Sequence, residues 1–139
     1  MAPGLETVVV GFDGSEPSKR ALDRALALAS PSGRVVVVTA IDVGGPGARR
    51  IGEATPEARE EGEALLAEAR SRAGTHGRQV ETLLGEGPPA PVILHTARDL
   101  GAQLLVVGTR GAGALDRLLL GSVSSTVVQQ ARCDVLVVR

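Results

Sequence analysis

The sequence predicts an α/β fold, a parallel sheet with helices on both faces, and three observations carry that expectation. Continuous apolar runs (VVV at 8–10, VVVV at 35–38, LLVV at 104–107) read as strands buried on both faces. Apolar stripes at helical spacing lie between them. Strands alternating with helices in this way build βαβ units rather than hairpins.

Residues 7–11 (TVVVG) form a β-branched strand ending at GFDGS, and Ala21, Leu22, Ala25, Leu26 and Ala29 follow at helical spacing. Ser15 is placed to cap that helix, and Pro17 is tolerated in its first turn. Ser30-Pro31-Ser32-Gly33 stops the helix, and residues 34–41 (RVVVVTAI) make a second buried strand, completing a right-handed βαβ unit. Residues 42–55 hold Gly44, Gly45, Pro46, Gly47 and Gly52, which predicts a mobile loop, long for an α/β connection. It is either an insert without a role or a flap near a ligand, with Arg49 and Arg50 within reach of phosphate. Residues 56–73 predict a charged helix with Leu65, Leu66, Ala69 and Ala73 inward and a solvated acidic outer face. Residues 78–84 alternate as a third strand at a sheet edge, ended by 85–87. Pro88, Pro89 and Pro91 suit the approach and first turn of a helix whose stripe is Ala90, Ile93, Leu94, Ala97 and Leu100, with Gly101 as its C-cap. Residues 104–108 are the fourth strand, 122–131 the fourth helix with Val123, Val127 and Ala131 on one face, and 134–138 the last strand.

A chain of 139 residues fits one domain, 1–139, which buries about two-thirds of its unfolded surface. There is no internal repeat and no domain-splitting linker. Phe12 is the single aromatic residue, so the core must be Val, Leu and Ala. A net charge of −1, without a basic stripe or stacking aromatics, argues against a nucleic-acid partner and against an anionic membrane surface. Lys19 is the one lysine among many arginines, which reads as genome bias or adaptation to heat and identifies no function. Cys133 stands alone, which excludes an intrachain disulfide or a Cys-based zinc cluster and leaves a small core residue before the last strand. No signal-peptide pattern opens the chain, and no apolar run approaches the roughly 20 residues of a membrane span, so the expected location is cytoplasmic.

The chemistry concentrates at residues 104–124, LLVVGTRGAGALDRLLLGSVS. Gly108, Gly111 and Gly113 supply positive-φ or Cβ-free positions for a tight exit from the sheet and close approach to a ligand. Ser122 is the N-cap candidate for the helix that follows; that helix start presents free N–H groups to an anion, joined by the Ser122 and Ser124 hydroxyls. Thr109 and Arg110 lie in the loop, Arg110 either pairing with phosphate or remaining a solvated charge. Asp13, at the end of strand 1, either closes an Asx turn in GFDGS or accepts from a ribose hydroxyl or holds a divalent ion. Ala40 and Ile41 are core residues in any case, and the strand end they form offers apolar walls and backbone hydrogen bonds to adenine.

Other signatures fail. There is no G-x-x-x-x-G-K-[ST] and no G-x-G-x-x-G. His76 and His95 lie on different predicted helices without Cys or carboxylate neighbours at ligand spacing, so neither is a metal site. Ser122, Ser124, Ser125 and Thr126 lack a G-x-S-x-G elbow and a His partner, and no catalytic residue is assigned.

Gly108, two residues, Gly111, nine residues and Gly121-Ser122 together resemble the G-x2-G-x9-G-[ST] motif of the nucleotide-binding universal stress proteins. VVVGFDGSEPS near the start, TAID at 39–42 and the closing DVLVV resemble the same family, so the likeness spans nearly the whole chain. It implies a doubly wound, Rossmann-like five-stranded sheet of order 3-2-1-4-5, in which GFDGS and the glycine crossing meet at the switch between strands 1 and 4. It also implies an adenine nucleotide in that crevice: ATP, or AMP or ADP, accompanied by Mg²⁺ or Mn²⁺. Carried over residue by residue, the nucleotide-binding set is Gly11, Phe12, Asp13, Ala40, Ile41, Gly108, Thr109, Arg110, Gly111, Gly121, Ser122, Val123 and Ser124, with Asp13 as the metal candidate. The implied function is a stress-response binding module that reports nucleotide state to protein partners the sequence does not name. Its rivals are a slow ATPase or nucleotidyl-transferase-like enzyme, opposed by the lack of a base and lysine, and a pure protein-interaction module, opposed by the glycine motif. In that strand order residues 134–138 form an edge with no proline and no inward charge, and a homodimer paired through this strand is expected.

Overall fold

The computed structural model describes residues 4–43, 52–109 and 120–139. Its elements are β1 (Leu5–Gly11), α1 (Glu16–Leu28), β2 (Ala29–Ile41), α2 (Pro56–Thr75), β3 (Glu81–Glu86), α3 (Pro89–Leu100), β4 (Leu104–Gly108), α4 (Ser122–Gln130) and β5 (Asp134–Val138). Every strand pair is parallel and the order is β3-β2-β1-β4-β5, the α/β sheet expected. Of the long loop after β2, residues 44–51 with Arg49 and Arg50 lie outside the described residues. Among those described, no helix is long and apolar enough to cross a membrane.

The continuous apolar runs are explained by cover on both faces. Val8 and Val10 join Val35, Val37, Leu22, Leu26 and Leu66 on the α1/α2 side, while Val9, Val36, Val38, Leu105 and Val107 join Ile93, Ala97 and Val127 on the α3/α4 side. Val8, Val9 and Val10 are all 0% exposed, so a single substitution in β1 is felt on both sides of the sheet. Each such valine contributes roughly 1.5–3 kcal/mol relative to an exposed one. Cys133 is only half-buried, packed at the margin of the α3/α4 core, and burial pushes its thiol pKa up.

Two boundaries differ from the sequence expectation. Ser30-Pro31-Ser32-Gly33 does not separate α1 from β2; the strand begins at Ala29, and the register jumps from Leu5↔Ala29 to Thr7↔Arg34. Gly33 permits this, because a Cβ there would lie 2.7 Å from the Leu5 carbonyl oxygen. The end of α1 is held by Arg78, whose guanidinium donates to the carbonyls of Leu26, Ala29 and Ser30 at 3.1, 3.3 and 2.9 Å. With Arg78 so engaged, α2 runs on to Thr75, the chain turns at Gly77 with φ 69°, and β3 starts at Glu81 instead of 78.

His76, which has no carboxylate at ligand spacing along the chain, meets one across the fold. His76 Nε2 lies 3.1 Å from Asp23 Oδ1, and Arg72 grips the same carboxylate through two bonds of 2.9 and 2.8 Å. The partner comes from α1, distant in sequence. Arg72 holds the Asp23 carboxyl below its ordinary range, and the cluster ties α1 to the end of α2. It contains one carboxylate and one imidazole, and no group of three metal-ligating side chains occurs among the described residues.

Candidate functional site

At the carboxyl ends of the strands, where the chain winds away from β1 in opposite directions, lies a crevice of about 460 Å³. It is lined by Gly11, Phe12 and Asp13 at the end of β1, Val38, Thr39 and Ala40 of β2, Leu65 of α2, Pro89 and Ile93 of α3, Val107, Gly108 and Thr109 at the end of β4, and Gly121, Ser122, Val123 and Ser124 at the start of α4, with Ser15 and Ser18 at the start of α1. Ten of the thirteen expected residues therefore meet: Gly11, Phe12, Asp13, Ala40, Gly108, Thr109, Gly121, Ser122, Val123 and Ser124. Ile41 is not among them. It is 7% exposed and packs toward α2, where the missing Cβ of Gly62 leaves room for its Cγ2. Arg110 and Gly111, with Gly113, lie outside the described residues.

Asp13 sits in a tightly hydrogen-bonded turn. Its Oδ1 accepts from the Ser15 N–H at 2.9 Å, the Asx turn read as one alternative. Ser15 Oγ then caps α1 by accepting from Ser18 N–H at 3.3 Å, and Ser18 Oγ donates to the Ser15 carbonyl at 2.9 Å. Partial burial alone would raise the Asp13 pKa, but the bonds from Ser15 and Ser18 outweigh it and hold the carboxyl below its ordinary 3.8. At neutral pH the crevice therefore contains a fixed anion, suited to accept hydroxyl hydrogens or to bind a cation.

Three helices begin at this crevice, and only one offers several donors. In α1 the Ser18 N–H is taken by Ser15, and Pro17 has none. In α3, Pro89 and Pro91 have no N–H and Val92 N–H bonds the Pro88 carbonyl at 3.3 Å. In α4 no side chain caps the start, and the N–H groups of Ser122, Val123 and Ser124 meet no acceptor among the described residues. The N-cap is Gly121, not Ser122 as expected. Gly121 is extended (φ −69°, ψ 169°) and its carbonyl already accepts from Ser125 N–H at 2.9 Å, which puts Ser122 inside the first turn. Ser122 is exposed there, whereas the Ser124 hydroxyl is buried and turned back to the Gly121 carbonyl at 3.1 Å. An uncapped helix start with an exposed hydroxyl is a site for an anion.

The strand glycines also let the helices close onto the sheet. Gly108 does not have positive φ. A Cβ on it would stand 2.7 Å from the Pro17 carbonyl carbon and 2.8 Å from Ser18 N, so its bareness lets the first turn of α1 close on β4. Gly11 makes the same allowance for Ile93 Cδ1, at 2.7 Å from its would-be Cβ.

The end of β2 supplies a backbone edge. Phe12 N–H donates to the Val38 carbonyl and Gly87 N–H to the Ile41 carbonyl, both at 2.9 Å, so even-numbered residues of β2 address β1 and odd-numbered ones β3. Since β1 leaves the sheet after Gly11, the N–H and C=O of Ala40 are turned to a side where no strand pairs with them. Thr39, Leu65, Ile93 and the α1 serines were not read as site residues, because their helix starts and strand ends meet only once strand order is known.

The chain compares closely with known proteins. The profile of the Universal stress protein family matches residues 4–139. A universal stress protein of Thermus aquaticus is 39% identical over 97% of this chain and 99% of its own length. Universal stress protein YxiE of Bacillus subtilis is 38% identical over 95% and 97%. A crystal structure of a universal stress protein in complex with cAMP superposes with a TM-score of 0.73 at 34% identity, covering 99% of this chain and 98% of that one.

Proposed function

Because the chain belongs to the universal stress protein family, we propose that its crevice binds an adenine nucleotide and that the protein works as a nucleotide-dependent regulatory module in stress response. The observation that carries this reading is the start of α4, where three N–H groups and the exposed Ser122 hydroxyl meet no acceptor or partner among the described residues. Phosphate belongs there, and Arg110 and Gly111, outside the described residues, are assigned to it on the family motif alone. The ribose belongs at Asp13, and the base along the backbone edge of Ala40 between apolar walls. The volume of about 460 Å³ falls in the range of small-molecule sites. A family member that binds cAMP supports the adenine nucleotide class. Within it, ATP is the proposed ligand, with ADP and AMP as shorter occupants.

Asp13 is the only ionisable side chain among the described lining residues. Mg²⁺ and Mn²⁺ are held beside phosphates by one or two carboxylates with water completing the shell, so a single carboxylate suits such an ion only when nucleotide is bound. Among the described lining residues there is no imidazole or lysine to act as base or to neutralise a leaving phosphate, and the reading proposed is a binding module.

Calorimetric titration with AMP and ATP, with and without Mg²⁺ or Mn²⁺, tests the reading. Asp13→Ala is expected to weaken ATP about tenfold and to make binding less sensitive to the cation. A lower melting temperature with unchanged affinity would reduce Asp13 to its turn, and a folded wild-type chain that takes none of ATP, ADP or AMP would overturn the function.

A homodimer through β5 is part of the same proposal. β5 is an edge strand, and Val135, Leu136 and Val137 remain half-buried along it. Antiparallel pairing of two copies would satisfy the edge. Val137→Pro removes a ladder donor and is expected to shift the chain to monomer in sedimentation. A wild-type chain that is monomeric at micromolar concentration would refute the pairing.

A further inference from the structure

Resting on the adenine-nucleotide reading, we propose that Thr39 is a positioning residue for the base. Its hydroxyl takes up the Phe12 carbonyl, and this leaves the Ala40 N–H open to a purine edge and selects adenine over hypoxanthine. The parallel ladder between β1 and β2 would naturally run one bond further than it does. Gly11 faces Val38 in register and Phe12 N–H donates to the Val38 carbonyl at 2.9 Å, so the next bond in the series is Ala40 N–H to the Phe12 carbonyl. That bond is not made. The Phe12 carbonyl accepts instead from Thr39 Oγ1 at 2.8 Å, and Thr39 is 2% exposed, so water is not an alternative partner.

The consequence reaches both halves of the crevice. The Phe12 carbonyl and the Asp13 N–H belong to one peptide group. Thr39 holds one end of that group and Ser18 Oγ, 3.4 Å from Asp13 N, holds the other. The peptide plane that launches the Asp13 turn is thus clamped by two hydroxyls, while the half-exposed Ala40 keeps a donor and an acceptor facing the crevice. Such a pair complements adenine, whose ring nitrogen accepts beside an amino group that donates. Hypoxanthine in the same pose presents a donor and an acceptor in the opposite order. Removing the Thr39 hydroxyl leaves a buried carbonyl unpaired, and the nearest remedy is for Ala40 N–H to close the ladder at the expense of the base.

The test compares the intact chain with Thr39→Val and Thr39→Ser. For Thr39→Val, AMP affinity is expected to fall roughly five- to tenfold while IMP affinity barely changes, so the AMP/IMP ratio collapses. Thr39→Ser should restore the ratio. Amide exchange of Ala40 in nucleotide-free protein reads the same event without ligand: fast in the wild type and slowed in Thr39→Val as the ladder bond forms. A folded Thr39→Val with an unchanged AMP/IMP ratio overturns the inference. So does a parallel loss of both nucleotides, or a wild-type Ala40 amide already protected. A wild-type chain that binds no AMP but has the open Ala40 amide would instead defeat the nucleotide reading, and with it the selective role.

Discussion

Gly121→Val is expected to lower the affinity for AMP and ATP at least tenfold while the fold persists. Gly121 is the N-cap of α4, with ordinary extended angles that valine also adopts, so the substitution carries no backbone strain. The cap makes no side-chain hydrogen bond to lose, and a poor N-cap costs about 0.5–2 kcal/mol. A branched side chain at that position, however, stands beside the open N–H groups of Ser122, Val123 and Ser124. Hydrogen bonds to a charged phosphate contribute roughly 1.5–3 kcal/mol each, so displacing it from even one donor accounts for the tenfold loss. Calorimetry on the variant, with thermal melting to verify the fold, checks this. Ser122→Ala removes a single hydroxyl and should cost less, about 1 kcal/mol. A folded Gly121→Val chain with wild-type affinity would place the phosphate elsewhere.

Gly108→Ala should destabilise the protein by about 3 kcal/mol, a large share of the roughly 5–15 kcal/mol that holds an ordinary domain together. The new methyl would stand 2.7 Å from the Pro17 carbonyl carbon, 2.8 Å from Pro17 Cβ and 2.8 Å from Ser18 N. Two of these three are backbone atoms in the first turn of α1. They cannot retreat without breaking the Ser15 cap and lifting α1 from β4. Gly74→Ala is the matched control: it lies in α2, a Cβ there meets nothing within 4 Å, and alanine is the better helix former, so it should be neutral or slightly stabilising. Equal urea midpoints for the two variants would show that Gly108 is not a packing glycine.

What the sequence determined by itself was the set of elements and the stretches that carry chemistry, because those are written in near-neighbour energies. The β-branched runs at 8–10 and 35–38 have only one comfortable backbone and became β1 and β2. Ser15 with Pro17 marked the start of α1 through a cap that spans three residues, and Gly101 ended α3 in the left-handed region at φ 63°. GFDGS and GSVS announced themselves as turn and helix start, and both line the crevice. The tertiary structure decided how those stretches are used. Arg78 reaches back about 50 residues to hold the end of α1, so Ser30-Pro31-Ser32-Gly33 is drawn into β2 although its composition reads as a stop. Asp23 meets His76 and Arg72 across two helices, where no spacing along the chain would pair them. Ile41 turns to α2 because the bare Gly62 receives it, and the bareness of Gly108 is required by α1 as well as offered to the crevice. Ala40 owes its open backbone edge to β1 ending one residue before Phe12 while β2 runs on beside β3. Local periodicity contains none of this. Strand order and register bring together groups tens of residues apart, and their hydrogen bonds and steric contacts then settle the choices that turn chemistry and helix capping leave open.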